Sequence, residues 1–218
     1  MHADNRPTPA APALDPPRAG TACPTLAVVA AVAWLFAVGA GITELWRHVN
    51  TPGTPGTPPA TWPPASALDH DPERPTLVVV VDSRCRCTHA TLHELGMLLA
   101  KCHGRVAVHV LVTGAREDPH VAATAAQLPD VQVRTDAGGH EARHFGAFTS
   151  GAVALYSAQG RRLFHGGITG GRGHRGDNAG RDAVVGLVLG KGTRTPSAPV
   201  FGCSLCDAVE RPPAEQSR

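Results

Sequence analysis

Apolar residues change rhythm several times along the chain. Residues 26–42, LAVVAAVAWLFAVGAGI, carry no charge. With their flanks they approach the roughly 20 residues that a membrane-spanning helix needs. Trp34 lies inside this run and Trp46 just beyond it, near where interfacial aromatics are expected. Residues 51–75, TPGTPGTPPATWPPASALDHDPERP, then show no period. Proline at this density predicts an extended, semi-rigid spacer of roughly 3 Å per residue.

From Thr76 the rhythm alternates. LVVVV (77–81) is a short all-apolar run, as expected of a strand buried on both faces. Leu92, Leu95, Leu98, Leu99 and Cys102 recur at helical spacing, and His103-Gly104 supplies a stop. VAVHVLV (106–112) predicts a second strand and VQVRT (131–135) a third, with Asp118 able to cap a helix over 119–127 between them. GAVALYSAQGRRLFHGG (151–167) reads as two strands joined through 157–160. Asp177 or Asn178 can cap a last helix that runs through Leu189 to Gly190. The order β-α-β-α-β, short helical piece, β-β-α predicts an α/β domain with a central mixed sheet flanked by helices.

The chain therefore divides into a disordered N-terminus (1–23), a transmembrane helix (24–44), a Pro-rich linker (45–74), the α/β domain (75–190) and a flexible tail (191–218). The small residues at 37–41 leave a cleaved signal peptide as the alternative to an anchor. Arg6, Arg18 and the amino terminus precede the apolar run, and Arg47 follows it. The positive-inside rule then puts the N-terminus in the cytoplasm and the domain outside it. For a bacterial chain this means a single-pass inner-membrane protein facing the periplasm.

Composition narrows the chemistry. Aromatics make up 4% of the chain, so Val, Leu and Ala must build the core. Net charge is +2 with no basic run, which gives no reason to expect a nucleic-acid partner. The six cysteines are Cys23, Cys85, Cys87, Cys102, Cys203 and Cys206. Four of them form two close pairs, a pattern that suggests redox chemistry or metal binding more than a disulfide scaffold. Cys23 precedes the apolar run, whereas a lipoprotein cysteine would follow it. Cys102 falls on the apolar face of its helix and reads as a packed core thiol.

Cys85 and Cys87 lie between the first strand and the first helix, in SRCRCTHATLHEL. A helix N-terminus favours an anion, so a cysteine there tends toward the thiolate. Arg84, Arg86 and His89 add positive charge nearby. Residues two apart point about 200° apart in a helix. In a strand they share a face at about 6.6 Å, near the upper limit for a disulfide. A Cys85–Cys87 bond therefore requires a turn just before the helix, and its small ring predicts a strained, oxidising pair.

The element order, with cysteines between first strand and first helix, resembles the thioredoxin-like superfamily over about residues 75–190. It is most similar to the membrane-anchored, extracytoplasmic members, among them the thiol-disulfide proteins of cytochrome c maturation. More narrowly, SRCRCTHATLHEL, FGAFTSGAVALYSAQGRRLFHGGITG and GHRGDN resemble a small bacterial group known as RedB proteins. The resemblance implies a thiol-disulfide oxidoreductase acting on protein thiols or disulfides, with Cys85 attacking, Cys87 resolving and no cofactor. Two departures stand out. The usual CxxC is here Cys85-Arg86-Cys87, and Gly151 stands where the family places a cis-proline facing the cysteines. That proline discourages metal binding to the thiols, so its loss favours a second reading: a non-enzymatic copper-handling protein, with copper or zinc held by Cys85, Cys87, His89 and His93. A third reading is an interaction module whose chemistry has degenerated.

Cys203 and Cys206, in VFGCSLC, form a second pair beyond the last helix. They read as a redox relay that visits Cys85 and Cys87, or as half of a four-sulfur metal site. His140 and His144 are a further i,i+4 pair; like His89 and His93 they read first as solvent-facing positions. Gly171, Gly173 and Gly176 match a dinucleotide fingerprint by letter, but no following strand supplies the acid that such a site needs. A loop presenting Arg172, His174 and Arg175 to an anion or partner fits that segment better.

Overall fold

The computed structural model describes residues 24–114, 119–193 and 195–205. Cys23, Asp118 and Cys206 lie outside the described residues. The chain separates into two compact units, residues 1–43 and 44–218. Helix α1 (Pro24–Asn50) is long and apolar enough to cross a membrane, and its large side chains, Leu35 and Phe36 among them, are exposed.

The second unit holds a five-stranded sheet in the order β3-β2-β1-β4-β5. β1 (Thr76–Asp82), β2 (Ala107–Thr113) and β3 (Val131–Asp136) run parallel, each separated from the next by a helix in sequence. β4 (Ala152–Tyr156) and β5 (Arg162–Gly167) form an antiparallel hairpin, and β4 pairs with β1. β1 is central and buried along its whole length, which is why LVVVV carries no polar alternation.

Alternate residues of β1 serve two cores. Leu77, Val79 and Val81 pack with Leu95, Leu98, Val153 and Phe164 beneath α2 (Thr88–Cys102) and α5 (Ala179–Val188). Cys102 is fully buried in that core, as its helical position predicts. Asn178 caps α5, its side chain accepting the Arg181 N–H at 2.8 Å. Val78 and Val80 face the other way and pack with Leu111, Phe145 and Tyr156. α3 (Pro119–Ala126) packs along β3, and the short α4 (His140–His144) lies against β2 and β3.

The second face is where the structure departs from the sequence reading. α2 and α5 cover one side of the sheet, and much of the other is covered by the proline-rich segment itself. Trp62 sits with its ring 5.1 Å from that of Phe145 and 5.3 Å from that of Tyr156, and Leu68 is buried in the same cluster. Polyproline backbone makes no internal hydrogen bonds, so its carbonyls remain free to accept. Here Pro59 accepts from the Tyr156 hydroxyl at 3.2 Å, Thr54 from the Thr149 hydroxyl at 2.9 Å, and Pro58 from the Arg162 guanidinium. A spacer was expected; residues 53–68 are a laid-on layer of the domain.

The tail differs in the same way. Residues 196–205 are held by backbone hydrogen bonds: Ala198 N–H to His165 O at 3.1 Å, Gly53 N–H to Val200 O at 2.8 Å, and Ser150 N–H to Cys203 O at 2.8 Å. Val200 and Phe201 are buried.

Candidate thiol site

The site forms where β1 ends. The Asp82 carbonyl accepts the Cys85 N–H at 3.1 Å and the Thr88 hydroxyl at 2.7 Å, which folds residues 82–88 into a tight turn. The Cys85 carbonyl accepts the Thr88 N–H at 3.0 Å, giving the turn before the helix that a close Cys85–Cys87 approach requires. Cys87 is the N-cap residue of α2 and its side chain caps nothing; the Cys87 carbonyl accepts the Ala90 and Thr91 N–H groups, and the Cys87 N–H is directed at the Cys85 sulfur.

The loop before β4 closes the site from the opposite side. Ser150 Oγ accepts the Asp82 N–H at 2.9 Å and lies 3.3 Å from the Thr88 hydroxyl. Gly151 occupies the position at which the resemblance implied a proline. Its φ is +91°, a conformation that favours glycine, and its N–H donates to Val80 O at 2.7 Å.

The tail supplies a third sulfur. The Cys203 N–H donates to Cys85 Sγ at 3.4 Å, joining residues 118 positions apart. Cys85 is consequently 3% exposed, Cys87 half-buried and Cys203 exposed. The resemblance implied an attacking cysteine open to solvent; Cys85 instead lies beneath the tail.

Electrostatics single out Cys85. Burial pushes its thiol up, but hydrogen bonds from the Cys203 side chain and backbone, the Cys87 N–H and Ser150 together bring it below the ordinary thiol value. Burial and then the neighbouring Cys85 charge raise Cys87. Burial first, then the hydrogen bond and charge of Cys85, push Cys203 up to about 12. Of the three thiols Cys85 alone is lowered, and Cys87 and Cys203, both raised, are the neighbours directed toward it. The cation that offsets the rise at Cys87 and Cys203 is Arg172, aided at Cys87 by the Gly173 N–H. Arg84 and Arg86, which the sequence put nearest, are exposed, and Arg84 pairs with Asp82 instead.

The glycine loop therefore serves the thiols. Arg172 also donates through Nη1 to the Gly202 carbonyl, and Gly176 N–H donates to Glu94 at 2.7 Å. Glu94 is fully buried and pairs with the buried Arg181 at 2.6 Å, tying α2, the loop and α5 together.

The copper or zinc set does not assemble. His89 and His93 lie on the exposed side of α2, whereas Cys85 is buried beneath the tail. Among the described residues no group of three His, Cys, Asp or Glu side chains is arranged to hold a metal ion. His140 and His144 are exposed on α4. The residues that the sequence reading missed are Ser150 and Gly202; Thr-Ser-Gly just before a strand is the one signal that could have indicated Ser150.

No family model and no curated protein matches the chain. Solved structures do. A hypothetical protein of Sinorhizobium meliloti 1021 aligns with a TM-score of 0.52 at 21% identity, covering 71% of this chain and 93% of that one. An uncharacterized conserved protein of Geobacillus kaustophilus aligns with a TM-score of 0.53 at 15% identity, covering 72% and 92%. A secreted Mycobacterium tuberculosis disulfide oxidoreductase homologous to E. coli DsbE aligns with a TM-score of 0.41 at 15% identity, covering 56% and 84%. The fold is thioredoxin-like. In this thioredoxin-like domain the cysteines hold the expected place between β1 and α2, and the loop before β4 faces them.

Proposed function

We propose that the chain is a membrane-tethered thiol-disulfide oxidoreductase facing the periplasm, with Cys85 and Cys87 as its reactive pair and the tail dithiol as its exchange partner. The observation that carries this reading is the convergence of Cys85, Cys87 and Cys203 on one helix N-terminus, with the Cys203 N–H 3.4 Å from Cys85 Sγ. The Cys85 thiolate attacks one sulfur of a partner disulfide; that bond breaks and the other partner sulfur leaves as a thiolate and takes a proton. Cys87 then loses its proton and attacks Cys85 in the mixed disulfide. The partner leaves reduced, and two electrons have passed from the pair to it. Read in reverse, the oxidised pair donates a disulfide.

The small Cys85–Cys87 ring favours that reverse direction, with the tail pair receiving the disulfide. Tethering makes this last exchange intramolecular. The narrower likeness to RedB proteins belongs to the same proposal and adds no activity of its own.

Trapping tests the reading. Cys87→Ser should accumulate mixed disulfides through Cys85, with partner proteins or with Cys203, seen by non-reducing electrophoresis and peptide mapping. Cys85→Ser should accumulate few. The reverse pattern would make Cys87 the attacking residue.

A further inference from the structure

The described part of the tail lies across the thiol site in strand pairing. Leu205 N–H donates to Phe148 O at 2.9 Å and Ser150 N–H to Cys203 O at 2.8 Å, with Thr149 and Ser204 bridged antiparallel between them. This is the hydrogen-bond pattern by which an extended peptide adds to an exposed edge. Phe201 and Val200 are buried beside it. At Gly202 the backbone passes so close that a Cβ would overlap the Ser150 carbonyl oxygen. Arg172 grips the Gly202 carbonyl from the other side.

We infer that residues 200–205 act as a built-in occupant of the edge at 148–150, closing Cys85 to outside partners, and that the partner displacing it is an extended segment carrying Gly-Cys. The inference rests on the oxidoreductase reading for what the uncovered site does, but the closure is a matter of geometry. Cys203 occupies the place of the partner cysteine, with its N–H on Cys85 Sγ. The demand for glycine before the cysteine comes from the Ser150 carbonyl, which leaves no room for a side chain there. The closure is also openable. A cavity of about 330 Å³, lined by Val78, Val80, Ala154, His165, Pro199 and Val200 among others, lies against the segment, so the tail is not packed solidly onto the sheet. A short flexible tether gives an attached segment a local concentration of about millimolar. A partner present at micromolar concentration therefore competes at a disadvantage of roughly a thousandfold.

The test uses the full chain in detergent, reduced, with a bulky maleimide as probe and modification of Cys85 read by peptide mapping. Gly202→Val, which drives the tail off Ser150, should raise the rate at Cys85 at least tenfold. Amide exchange at Ser150 and Leu205 should lose protection in the same variant. Should Gly202→Val fail to fold by circular dichroism, Phe201→Ala, which removes a buried anchor of the tail and no charge, should give a smaller rise of the same sign. Equal rates in wild type and folded variant overturn the closure while leaving thiol exchange intact. In Gly202→Val combined with Cys87→Ser, a disulfide-activated VFGCS peptide should form a mixed disulfide with Cys85 faster than a VFVCS peptide. An open Cys85 that reacts with maleimide but with neither peptide overturns the oxidoreductase reading and leaves the closure standing. Equal rates for the two peptides overturn the glycine requirement.

Discussion

Cys85 illustrates how a buried thiol can still be the acidic one. Burial alone would raise it, and hydrogen bonds from Cys203, Cys87 and Ser150 reverse the sign. A lowered value means that more thiolate is present at any pH below the ordinary thiol range, and reactivity should persist to lower pH accordingly. Cys203→Ala removes the largest of the lowering contributions, so the pH midpoint for alkylation of Cys85 by iodoacetamide should move upward. Mass spectrometry of the Cys85 peptide across a pH series checks this, and an unmoved midpoint would show that Cys203 does not hold the thiolate. Cys102, buried with no such donors and itself pushed up by burial, should stay unmodified throughout. At this scale Cys85 and Cys87 were legible from their place between an apolar strand and a helical period. Ser150 was not, because its role is a hydroxyl aimed across the sheet at Asp82 and Thr88, which leaves no periodic trace.

Among the elements, α2 and α5 are joined by more than apolar packing. Glu94 is fully buried against Arg181, which is 3% exposed, and the same carboxylate fixes the glycine loop through Gly176. Removing one partner of a buried pair leaves an uncompensated charge and costs about 3–5 kcal/mol. Arg181→Met should lose stability on that scale in denaturant unfolding, and Glu94→Leu added to it should restore much of the loss. A loss under about 1 kcal/mol for Arg181→Met would mean that the pair is not held as the structure has it. The strands and helices of the domain were legible because each buries a face at its own period. The segments at 53–68 and 196–205 were not, since they bind through backbone carbonyls, backbone amides and single anchors such as Trp62 and Phe201. Proline and glycine mark both as loops, and nothing in their pattern says where a loop lies down.

For the whole molecule, the proposed anchor would set the compartment. α1 carries an apolar stretch long enough to span a bilayer, and the charges at Arg6, Arg18 and Arg47 favour a periplasmic domain. Cys203 is exposed but its thiol is pushed up to about 12, so after reduction a membrane-impermeant thiol reagent at alkaline pH should label it in intact spheroplasts. Labelling that appears only after lysis would reverse the orientation and remove the oxidising compartment on which disulfide donation depends.

The proline-rich layer also decides where the molecule can be divided. The alternating pattern begins at Thr76, and a cut placed there by pattern alone would remove Trp62 and Leu68. Tyr156, Phe145 and Leu111 would then meet water on one side of the sheet. Such a fragment would keep every strand and helix of the domain yet carry a bare apolar face, the usual starting point of self-association. The compact unit that carries the sheet begins at Glu44, and the Val49 carbonyl accepts the Arg172 N–H at 3.0 Å, so the segment that reads as a tether belongs wholly inside it.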